Sequence, residues 1–346
     1  MPSPLAIWKR RRTLASHRIE ALPVLVLMPH SRCNCRCVMC DIWRANKNLQ
    51  QLTAADLEPH LEALRRWQVS WVVLSGGEAL MHDNLWTLCR QLRRLGARLT
   101  ILSTGLLLAR HAGDVVRHAD EVIVSLDGPP PVHDEIRRVP RAYERLAAGV
   151  AALRAARRDF RVAARCVVQR RNFEHLAAVV DSSHQLGLDQ ISFLAADVSS
   201  AAFNRPDGWP DERVADVALS AAQARRLEEG IERLIDRYRA DLERGFIAEP
   251  AAKLRAIGRY FRALAGDGEL PPVRCNAPWT SAVVEADGSV RPCFFHPSFG
   301  NLRDAPIDAI LNHPDAVAWR RQLDVSRDPT CKTCVCTLHL TPWQKV

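Results

Sequence analysis

The sequence predicts an α/β protein with a parallel central sheet, followed by a helical connection and a cysteine-rich C-terminal part. From residue 23 to about 195, short β-branched runs alternate six times with longer amphipathic segments. Such strict alternation is typical of parallel strands joined by helical crossovers. Glycine, serine, aspartate and cysteine collect where the predicted strands end. Because the carboxyl ends of parallel strands carry the functional site in such folds, the site is expected at that edge.

The predicted strands lie in six runs of sequence: PVLVLMP, VSWVVLSG, ARLTILST, ADEVIVSLDG, FRVAARCVVQ and DQISFLAA. The stretches between them have helical periodicity. In TAADLEPHLEALRRW, Thr53 can cap the first turn. The stretch HDNLWTLCRQLRRLG ends at a glycine, as many helices do.

The alternation stops after residue 195. A polar connection, SSAAFNRPDGWPDERV, precedes helices predicted over about 220–244 and 250–264. The run SAVVEADGSVRPCFF indicates a hairpin that turns at Asp287-Gly288. One last helix is predicted over APIDAILNHPDAVAWRRQL. The expected domains are a sheet domain over 1–205, a helical connection over 206–269 and a cysteine-rich domain over 270–346.

Composition narrows the class of protein. Eleven cysteines, an odd number arranged in tight clusters, argue against a disulfide framework and favour metal binding in a reducing cytoplasm. No apolar run is long enough for a signal peptide or a membrane span. The net charge of +9 comes mostly from scattered arginines. This distribution indicates a solvated basic surface or a contact for an acidic electron-transfer partner or anionic substrate, and no nucleic-acid site is expected.

The first cysteine cluster, in SRCNCRCVMCDIW, directly follows the first predicted strand. Cys33, Cys37 and Cys40 form a C-x3-C-x2-C pattern, and Cys35 is an additional thiol inside it. Thiolates at such short spacings suit an iron–sulfur cluster. A zinc site would usually have a fourth ligand and a distant partner for a CxxC pair.

This cluster, placed after the first strand of a β/α repeat, resembles the signature of the radical S-adenosylmethionine (radical SAM) enzymes. The resemblance implies a [4Fe–4S] cluster with only three protein ligands, here Cys33, Cys37 and Cys40. The remaining iron binds SAM, and an electron from the cluster cleaves SAM to methionine and a 5′-deoxyadenosyl radical. That radical removes a hydrogen atom from the substrate, while the protein binds, orients and excludes water.

The later strand ends match the same family. LSGGEAL follows the second strand, LSTG the third and VSLDGP the fourth. The resemblance implies that the Gly-Gly-Glu segment approaches the methionine part of SAM and that the Ser-x-Asp-Gly segment contacts its ribose or carboxylate. The SAM-binding residues carried over in this way are Gly76, Gly77, Glu78, Ser103, Thr104, Ser125 and Asp127.

The C-terminal cysteines form the second cluster. Cys275 and Cys293 flank the predicted hairpin, and CKTCVC supplies Cys331, Cys334 and Cys336. From the residues alone, a zinc ribbon is an equal reading. Their spacing, with the segments DGSVRPC and GNLRD, resembles the SPASM domain of radical SAM enzymes in its reduced, twitch form. The resemblance implies one auxiliary [4Fe–4S] cluster held by Cys275, Cys293, Cys331 and Cys334, with Cys336 spare or replacing Cys334.

Several other residues carry weaker expectations. His133 and Asp134 could take part in acid–base chemistry, but solvated loop positions are expected. Arg137 and Arg165 could each bind a carboxylate, although a surface or strand-packed arginine is the simpler expectation.

Together, the motifs imply a partial (β/α)6 TIM-like barrel with an auxiliary-cluster domain. The expected activity is that of a radical SAM oxidoreductase, with an auxiliary cluster as electron conduit and a flavodoxin- or ferredoxin-type electron donor. The substrate is a peptide or a small molecule such as a cofactor precursor, and neither is favoured. The alternative from another class is a non-catalytic zinc or iron–sulfur protein that acts as scaffold or sensor.

Overall fold

Nine strands form one sheet in the computed structural model, which describes residues 2–346. The strands are β1 (Val24–Leu27), β2 (Trp71–Leu74), β3 (Arg98–Ser103), β4 (Glu121–Ser125), β5 (Arg161–Val168), β6 (Gln190–Ala195), β7 (Ser281–Val284), β8 (Ser289–Arg291) and β9 (Gly300–Asn301). Their order across the sheet is β6-β5-β4-β3-β2-β1-β7-β8-β9. The six strands predicted between residues 23 and 195 are confirmed, each within its predicted run.

The first six strands are parallel and lie in chain order. Each strand pairs with the next, as in the register Val26↔Val73 between β1 and β2. β6 forms one edge of the sheet, and β1 pairs with β7 instead of closing against β6. The sheet is therefore a partial, unclosed barrel, as the motifs implied.

Helices cross between the strands and continue after them. They are α1 (Pro4–Ser16), α2 (Ala54–Leu57), α3 (Leu61–Arg66), α4 (Leu85–Arg93), α5 (Leu108–His118), α6 (Pro130–Arg137), α7 (Ala142–Ala156), α8 (Leu176–Gln185), α9 (Asp211–Val217), α10 (Ala221–Arg237), α11 (Arg239–Glu243), α12 (Ala251–Leu264), α13 (Ala277–Thr280), α14 (Ile307–Leu311), α15 (Pro314–Gln322) and α16 (Pro329–Lys332).

Local sequence explains several helix ends. Thr53 caps α2 through a reciprocal pair of hydrogen bonds with Asp56, which confirms its predicted role. The single last helix predicted near the C-terminus is wrong, because the segment divides into α14 and α15. Pro314 is the first residue of α15, where its missing N–H costs nothing, and it disfavours helical backbone in the residue before it.

The two faces of the sheet have different environments. Along β4, Val122 and Val124 are fully buried against the helices, whereas Ile123 and Ser125 are half-buried on the inner face. The same alternation recurs on β6, where Ser192 is half-buried. The core therefore lies between the sheet and the helices, and the inner face is left as an open concave surface.

The predicted hairpin forms, with β7 and β8 antiparallel and Gly288 at φ +90° in the turn. The sequence did not indicate that β7 would pair in parallel with β1, in the register Val26↔Val283. This pairing attaches the cysteine-rich C-terminal part to the flank of the partial barrel.

The N-terminal helix α1 was not predicted. Ser3 caps it and Pro4 opens it. Arg10, although largely buried, donates hydrogen bonds to the carbonyl oxygens of Pro342 (3.3 Å) and Gln344 (2.6 Å), so that both ends of the chain are joined. Within residues 2–346, no helix is both long and apolar enough to cross a membrane.

Candidate active site and auxiliary cysteine cluster

Four thiols gather in the loop that leaves β1 at the carboxyl edge of the sheet. Cys35 and Cys37 are buried, with 1% and 7% of their surface exposed, while Cys33 and Cys40 are half-buried. The functional site was predicted from the sequence to lie at this edge. The loop also borders the concave inner face, so the thiols lie beside a space open to a ligand.

Backbone contacts fix the shape of this cysteine loop. The side chain of Asn46 accepts a hydrogen bond from the Cys33 N–H (2.9 Å) and donates one to the Cys33 carbonyl (3.0 Å). The Val38 N–H donates to the carbonyl of Ile136, at the end of α6 (3.0 Å). The loop is therefore held from both sides in a single conformation. Sequence reasoning missed Asn46, because nothing in the sequence near it marks its contact with a residue thirteen positions earlier.

Gly76 and Gly77 lie directly beneath the cysteine loop. Gly76 has φ +101°, and a Cβ built there would lie 2.9 Å from the Met28 Cβ. A Cβ on Gly77 would approach the Arg32 carbonyl oxygen far more closely than the 3.0 Å below which real Cβ atoms essentially never come. The two glycines thus let the backbone after β2 touch the backbone of the cysteine loop.

Glu78 is fully buried next to these glycines. One carboxylate oxygen accepts hydrogen bonds from the Thr104 N–H (2.7 Å), the Thr104 hydroxyl (2.7 Å) and the Ser103 hydroxyl (3.1 Å). The other accepts from the Leu80 N–H (3.1 Å). Burial raises the pKa of Glu78, and these donors oppose that shift by stabilising the carboxylate. The structure thus brings together three of the carried-over residues from the ends of β2 and β3.

The thiols of the loop differ in their protonation. The Cys35 thiol lies within hydrogen-bonding reach of Cys33 and Cys37, and these bonds together with burial raise its pKa. The hydrogen bond from Cys35 and the nearby Arg137 guanidinium lower the pKa of Cys37 to about 6. Burial and the charge of Cys37 raise the pKa of Cys40 to about 12. These shifts favour Cys35 as the hydrogen-bond donor and Cys37 as the acceptor of the pair.

Arg137 is the main residue that sequence reasoning misplaced. It is almost fully buried, with 6% of its surface exposed, and its Nη1 donates to the Cys37 sulfur (3.5 Å). It also forms an ion pair with Asp127. The expectation of a surface or strand-packed arginine is therefore wrong. Its role depends on α6 packing against the cysteine loop, a long-range contact without a local sequence signal.

Asp127 has no exposed surface. Besides pairing with Arg137, its carboxylate accepts a hydrogen bond from the Val167 N–H on β5 (2.9 Å). The Asn172 side chain donates to the Asp127 carbonyl (2.9 Å). In this structure, the Asp127 carboxylate therefore holds Arg137 against the cysteine loop. Ser125, at the end of β4, is half-buried on the concave face.

His133 is completely buried in α6, so its expected position in a solvated loop is wrong. Its Nδ1 accepts the Asp127 N–H (3.2 Å), and its ring packs edge-on against Tyr143. Burial and the nearby Arg137 charge lower the pKa of His133 to about 3. The neutral ring is thus part of the packing beneath the site.

A pH dependence of stability follows. Unfolded His133 binds a proton at a pKa of about 6.5, whereas the folded state resists protonation until about pH 3, so stability is lost as pH falls below 6.5. We expect His133→Asn, which keeps an acceptor for the Asp127 N–H, to be less stable than the wild type at pH 7.5. The difference should shrink by about 1.4 kcal/mol per pH unit below pH 6. Urea unfolding at pH 7.5, 6 and 5 measures it, and a constant difference would contradict the assignment.

The segment between β6 and α9 covers the cysteine loop. Trp209 donates from its indole nitrogen to the Asp41 carboxylate (2.7 Å), and Arg213 donates to the Val38 carbonyl (2.8 Å). The Arg205 guanidinium lies over the Trp209 ring, 4.4 Å from its centre. This polar connection was predicted only as a linker, yet it shields one side of the thiols from solvent.

The three thiols of the C-x3-C-x2-C pattern fit an iron–sulfur cluster. They converge at one edge, donors from Arg137 and the Ile42 N–H reach the Cys37 and Cys40 sulfurs (both 3.5 Å), and the Cys35 thiol supplies a further hydrogen bond. Such donors stabilise sulfur-bound negative charge. Cys33, Cys37 and Cys40 would hold the cluster.

The five C-terminal cysteines also lie together. Burial raises the pKa of Cys293 to about 11, with contributions from the charges of Cys275 and Cys336. Burial, followed by the charges of Cys336, Cys275 and Cys293, raises the pKa of Cys334. Burial also raises the pKa of Cys331, and Cys293 and Cys275 add to this effect. These contributions indicate that the thiols lie near one another, which fits a thiolate-ligated cluster with one thiol in excess.

A histidine that the sequence reasoning missed adjoins this second centre. His296 Nε2 lies 3.3 Å from the Cys331 sulfur, and Asp328 accepts the Cys331 N–H (2.9 Å). The ligand atoms of His296, Asp328 and Cys331 all lie within 4.8 Å of one another, so they could share a small metal ion. The arrangement of these three side chains is therefore also compatible with zinc binding, the alternative that the sequence left open for the C-terminal cysteines.

Replacing His296 tests its contact with Cys331. We expect His296→Ala to lose metal from the C-terminal centre to a chelator about tenfold more readily than the wild type, because partners of ligand side chains typically carry that much affinity. His313→Asn, which changes an exposed histidine and keeps an acceptor for the Asp315 N–H that His313 caps, is the matched control. Metal release is followed by absorbance. Equal release from both variants would mean that His296 does not contribute to metal binding at this centre.

Comparison with known proteins places these features in a family. Residues 27–182 match the family model described as the radical SAM superfamily, and residues 275–335 match the iron–sulfur cluster-binding SPASM domain. The first match covers the cysteine loop and the ends of β2 to β4. The second covers the hairpin and four of the five C-terminal cysteines.

Curated relatives include enzymes with different substrates. A pre-heme d1 synthase from Dinoroseobacter shibae is 27% identical over 309 residues, which cover 85% of this chain and 74% of that protein. A PqqA peptide cyclase from Streptomyces rochei is 25% identical over 324 residues, covering 90% of this chain and 80% of the relative. An AdoMet-dependent heme synthase from Methanosarcina barkeri is 28% identical over 159 residues, 45% of either chain.

Solved structures share the fold. Streptococcus suis SuiB bound to S-adenosylmethionine superposes with a TM-score of 0.64 at 15% identity, covering 94% of this chain and 75% of SuiB. Native anSMEcpe with bound AdoMet gives 0.65 at 16% identity, covering 90% and 86%. At these identities the likeness shows the architecture, not the substrate.

Proposed function

Because the chain belongs to the radical SAM enzymes with a C-terminal SPASM-type domain, we propose that it cleaves SAM reductively and abstracts hydrogen from a carboxylate-bearing small molecule. The observation that carries the SAM-cleaving part is the gathering of Cys33, Cys37 and Cys40 beside an open concave face. When bound there, a [4Fe–4S] cluster supplies the electron that cleaves SAM to methionine and a 5′-deoxyadenosyl radical. Membership in an enzyme family removes the main support for a non-catalytic scaffold.

The residues around the loop bind and orient SAM in this proposal. Gly76 and Gly77 have no side chains that would occupy the space next to Cys33. The hydrogen bonds donated to Glu78 fix its carboxylate, which accepts a hydrogen bond from SAM in this proposal. The hydroxyls of Ser103 and Thr104 set the orientation of that carboxylate. Ser125 and Asp127 follow on β4, Ser125 as a ligand contact on the concave face and Asp127 through its hold on Arg137.

In this proposal, the segment between β6 and α9 covers the cysteine loop and excludes water from it. Trp209 and Arg213 fasten the connection after β6 to Asp41 and Val38. A reactive carbon-centred radical survives only where solvent and bystander groups are held away. This cover therefore protects the site on the side that the strands leave open.

The substrate assignment rests on charge. Arg165 projects from the middle of β5 beside Ser192, to whose hydroxyl it donates (3.4 Å). No carboxylate lies within 4.0 Å of Arg165 in residues 2–346. Such a guanidinium can clamp a carboxylate. The names of the pre-heme d1 synthase and the heme synthases also favour a carboxylate-bearing substrate, namely a tetrapyrrole. The name of the peptide cyclase favours the competing substrate, a peptide with a carboxylate.

In the same proposal, the C-terminal centre holds one auxiliary [4Fe–4S] cluster through Cys275, Cys293, Cys331 and Cys334. Cys336 is the most exposed of the five thiols, which supports its being the spare one. The electrons come from a flavodoxin- or ferredoxin-type protein in a reducing cytoplasm. The net basic charge of the chain suits an acidic donor.

The test is anaerobic reconstitution with iron and sulfide. The protein should bind about eight irons, about four per cluster, and release 5′-deoxyadenosine from SAM when dithionite is added. Release should increase with a tetrapyrrole carboxylic acid and not with a neutral ester of it. Colourless protein that binds zinc and leaves SAM intact would contradict the proposal.

A further inference from the structure

A second basic site lies at the other end of the sheet from the cysteine loop. There a cleft of about 490 Å³, within the size range of small-molecule sites, opens between the first residues of β2 and β3 and the C-terminal segment. Its aromatic and basic lining includes Trp71, Arg98, Lys253, Arg274, His339 and Lys345. Leu338 and Leu340 add apolar surface. No aspartate or glutamate side chain lines it.

The cations of this cleft differ from most arginines of the molecule. Throughout residues 2–346, no carboxylate lies within 4.0 Å of the charged ends of Lys253, Arg274 or Lys345, and these three side chains make no hydrogen bond. By contrast Arg255, only two residues from Lys253 on α12, is paired with Glu232 through two hydrogen bonds of 2.7 Å. The charge of Lys253 is partly balanced, because it opposes the rise that burial causes in the pKa of the Glu249 carboxyl, and Val346, with the terminal carboxylate, also lines the cleft. Since these three cations form no ion pair closer than 4.0 Å, their charged ends remain free to contact a bound anion.

The wall of the cleft is prepared for an organic ligand. The Trp71 indole is fixed by its hydrogen bond to the Thr100 hydroxyl (2.8 Å), which in turn donates to Glu121 (2.8 Å). Arg98 is held by its ion pair with the same Glu121 and lies over the Trp71 ring. A fixed aromatic ring with leucines nearby suits a flat or apolar body, and the cations suit its carboxylates.

The cleft also adjoins the C-terminal centre. Arg274 immediately precedes Cys275, and Thr337, which lines the cleft, immediately follows Cys336. Trp71 is the first residue of β2, and Gly76 near the cysteine loop follows the same strand. A four-residue strand spans about 13 Å. The cleft therefore lies about one strand length from the cysteine loop and next to the C-terminal cysteines.

We propose that this cleft binds two or more carboxylates of the substrate, at the end of the molecule remote from the reacting carbon. The inference rests on the proposed function, because it assigns the cleft to the same carboxylate-bearing substrate. The concave shape, closed on one side by a fixed indole, favours a small molecule over the surface of an acidic protein.

The experiment measures equilibrium binding of coproporphyrin III, a tetrapyrrole with four propionates, to the reconstituted protein by fluorescence. We expect Lys253→Ala and Arg274→Ala each to weaken binding about tenfold, since a charge-assisted contact is typically worth that factor. The double variant should lose about a hundredfold, and the wild-type affinity should fall with added salt. Arg259→Ala, an exposed and unpaired arginine on the same helix as Lys253, should bind as the wild type does.

Four results would overturn the inference. One is unchanged binding by the Lys253 and Arg274 variants, and another is an equal loss in Arg259→Ala, which would indicate a merely basic surface. The third is equally tight binding of the tetramethyl ester. If the variants instead slow only reduction by a flavodoxin, the cleft is a protein docking surface and the proposal fails. Wild-type SAM cleavage without substrate is measured separately, so the failure of the proposed function is recognised independently.

Discussion

Replacing Cys33, Cys37 or Cys40 with alanine should abolish SAM cleavage, and Cys35→Ala should not. Each of the first three residues would supply a cluster ligand, and no neighbouring thiol lies where it could take over that role. We therefore expect 5′-deoxyadenosine release to fall at least about a thousandfold and the protein to lose about four irons per chain. Cys35 lies among them as a hydrogen-bond donor to Cys37. Its removal should lower the rate only a few-fold, through the lost hydrogen bond.

Cys35→Ala is a stringent control because the thiol is buried in the same loop, two residues from both Cys33 and Cys37. Iron, labile sulfide and 5′-deoxyadenosine are measured on the same preparations. Retention of cluster and activity by Cys33→Ala, together with their loss in Cys35→Ala, would mean that the ligand set is another three of the four cysteines.

Gly77→Ala should prevent the N-terminal cluster from assembling. The added Cβ would collide with the Arg32 carbonyl, which is backbone and cannot swing aside, so the cysteine loop must shift. We expect a loss of stability of about 1–3 kcal/mol, as for other overpacked sites, and a loss of roughly half of the iron. Absorbance near 400 nm, iron content and urea unfolding report the outcome.

Gly113→Ala is the matched control for this change. Gly113 lies in α5, and apart from its chain neighbours and the backbone of its own helix no atom lies within 4 Å of the place that a Cβ would occupy. The substitution should leave iron content unchanged and stabilise the helix by about 0.5–1 kcal/mol. If Gly77→Ala also retains full iron and stability, then the close approach of the two backbone segments is not needed to build the site.

Features set by neighbouring residues were predictable from the sequence. The β-branched runs, the Thr53 cap and the Asp287-Gly288 turn each depend on a few adjacent side chains, and all three are confirmed. The cysteine spacing belongs to the same class, since C-x3-C-x2-C places its thiols close together in any compact loop. Two local signals were nevertheless overlooked: the Ser3-Pro4 start of α1 and the break at Pro314.

Features that depend on tertiary packing were not predictable. Arg137 and His133 gain their roles only because α6 lies against the cysteine loop, which draws a charged and a polar side chain into the interior. The parallel pairing of β7 with β1 joins strands separated by most of the chain. His296 reaches Cys331 across 35 residues. No sequence window contains both partners of these contacts.

Gly76 and Gly77 show how the two sources of information combine. The family resemblance implies that they leave room for SAM. Because glycine has no side chain, another backbone segment or a ligand can approach it closely. The structure identifies one partner of that approach as the backbone of Met28 and Arg32. The glycines are thus required for the cysteine loop itself, whatever they also do for a ligand.

The most direct test of the central claim isolates the cluster of the cysteine loop. In a variant with both Cys275 and Cys293 changed to alanine, the C-terminal centre should be lost, leaving about four irons bound through Cys33, Cys37 and Cys40. After reduction, low-temperature electron paramagnetic resonance should show one [4Fe–4S] signal that changes shape when SAM is added, because SAM would bind the iron that has no protein ligand. A signal indifferent to SAM, or a variant that binds no iron, would contradict the claim.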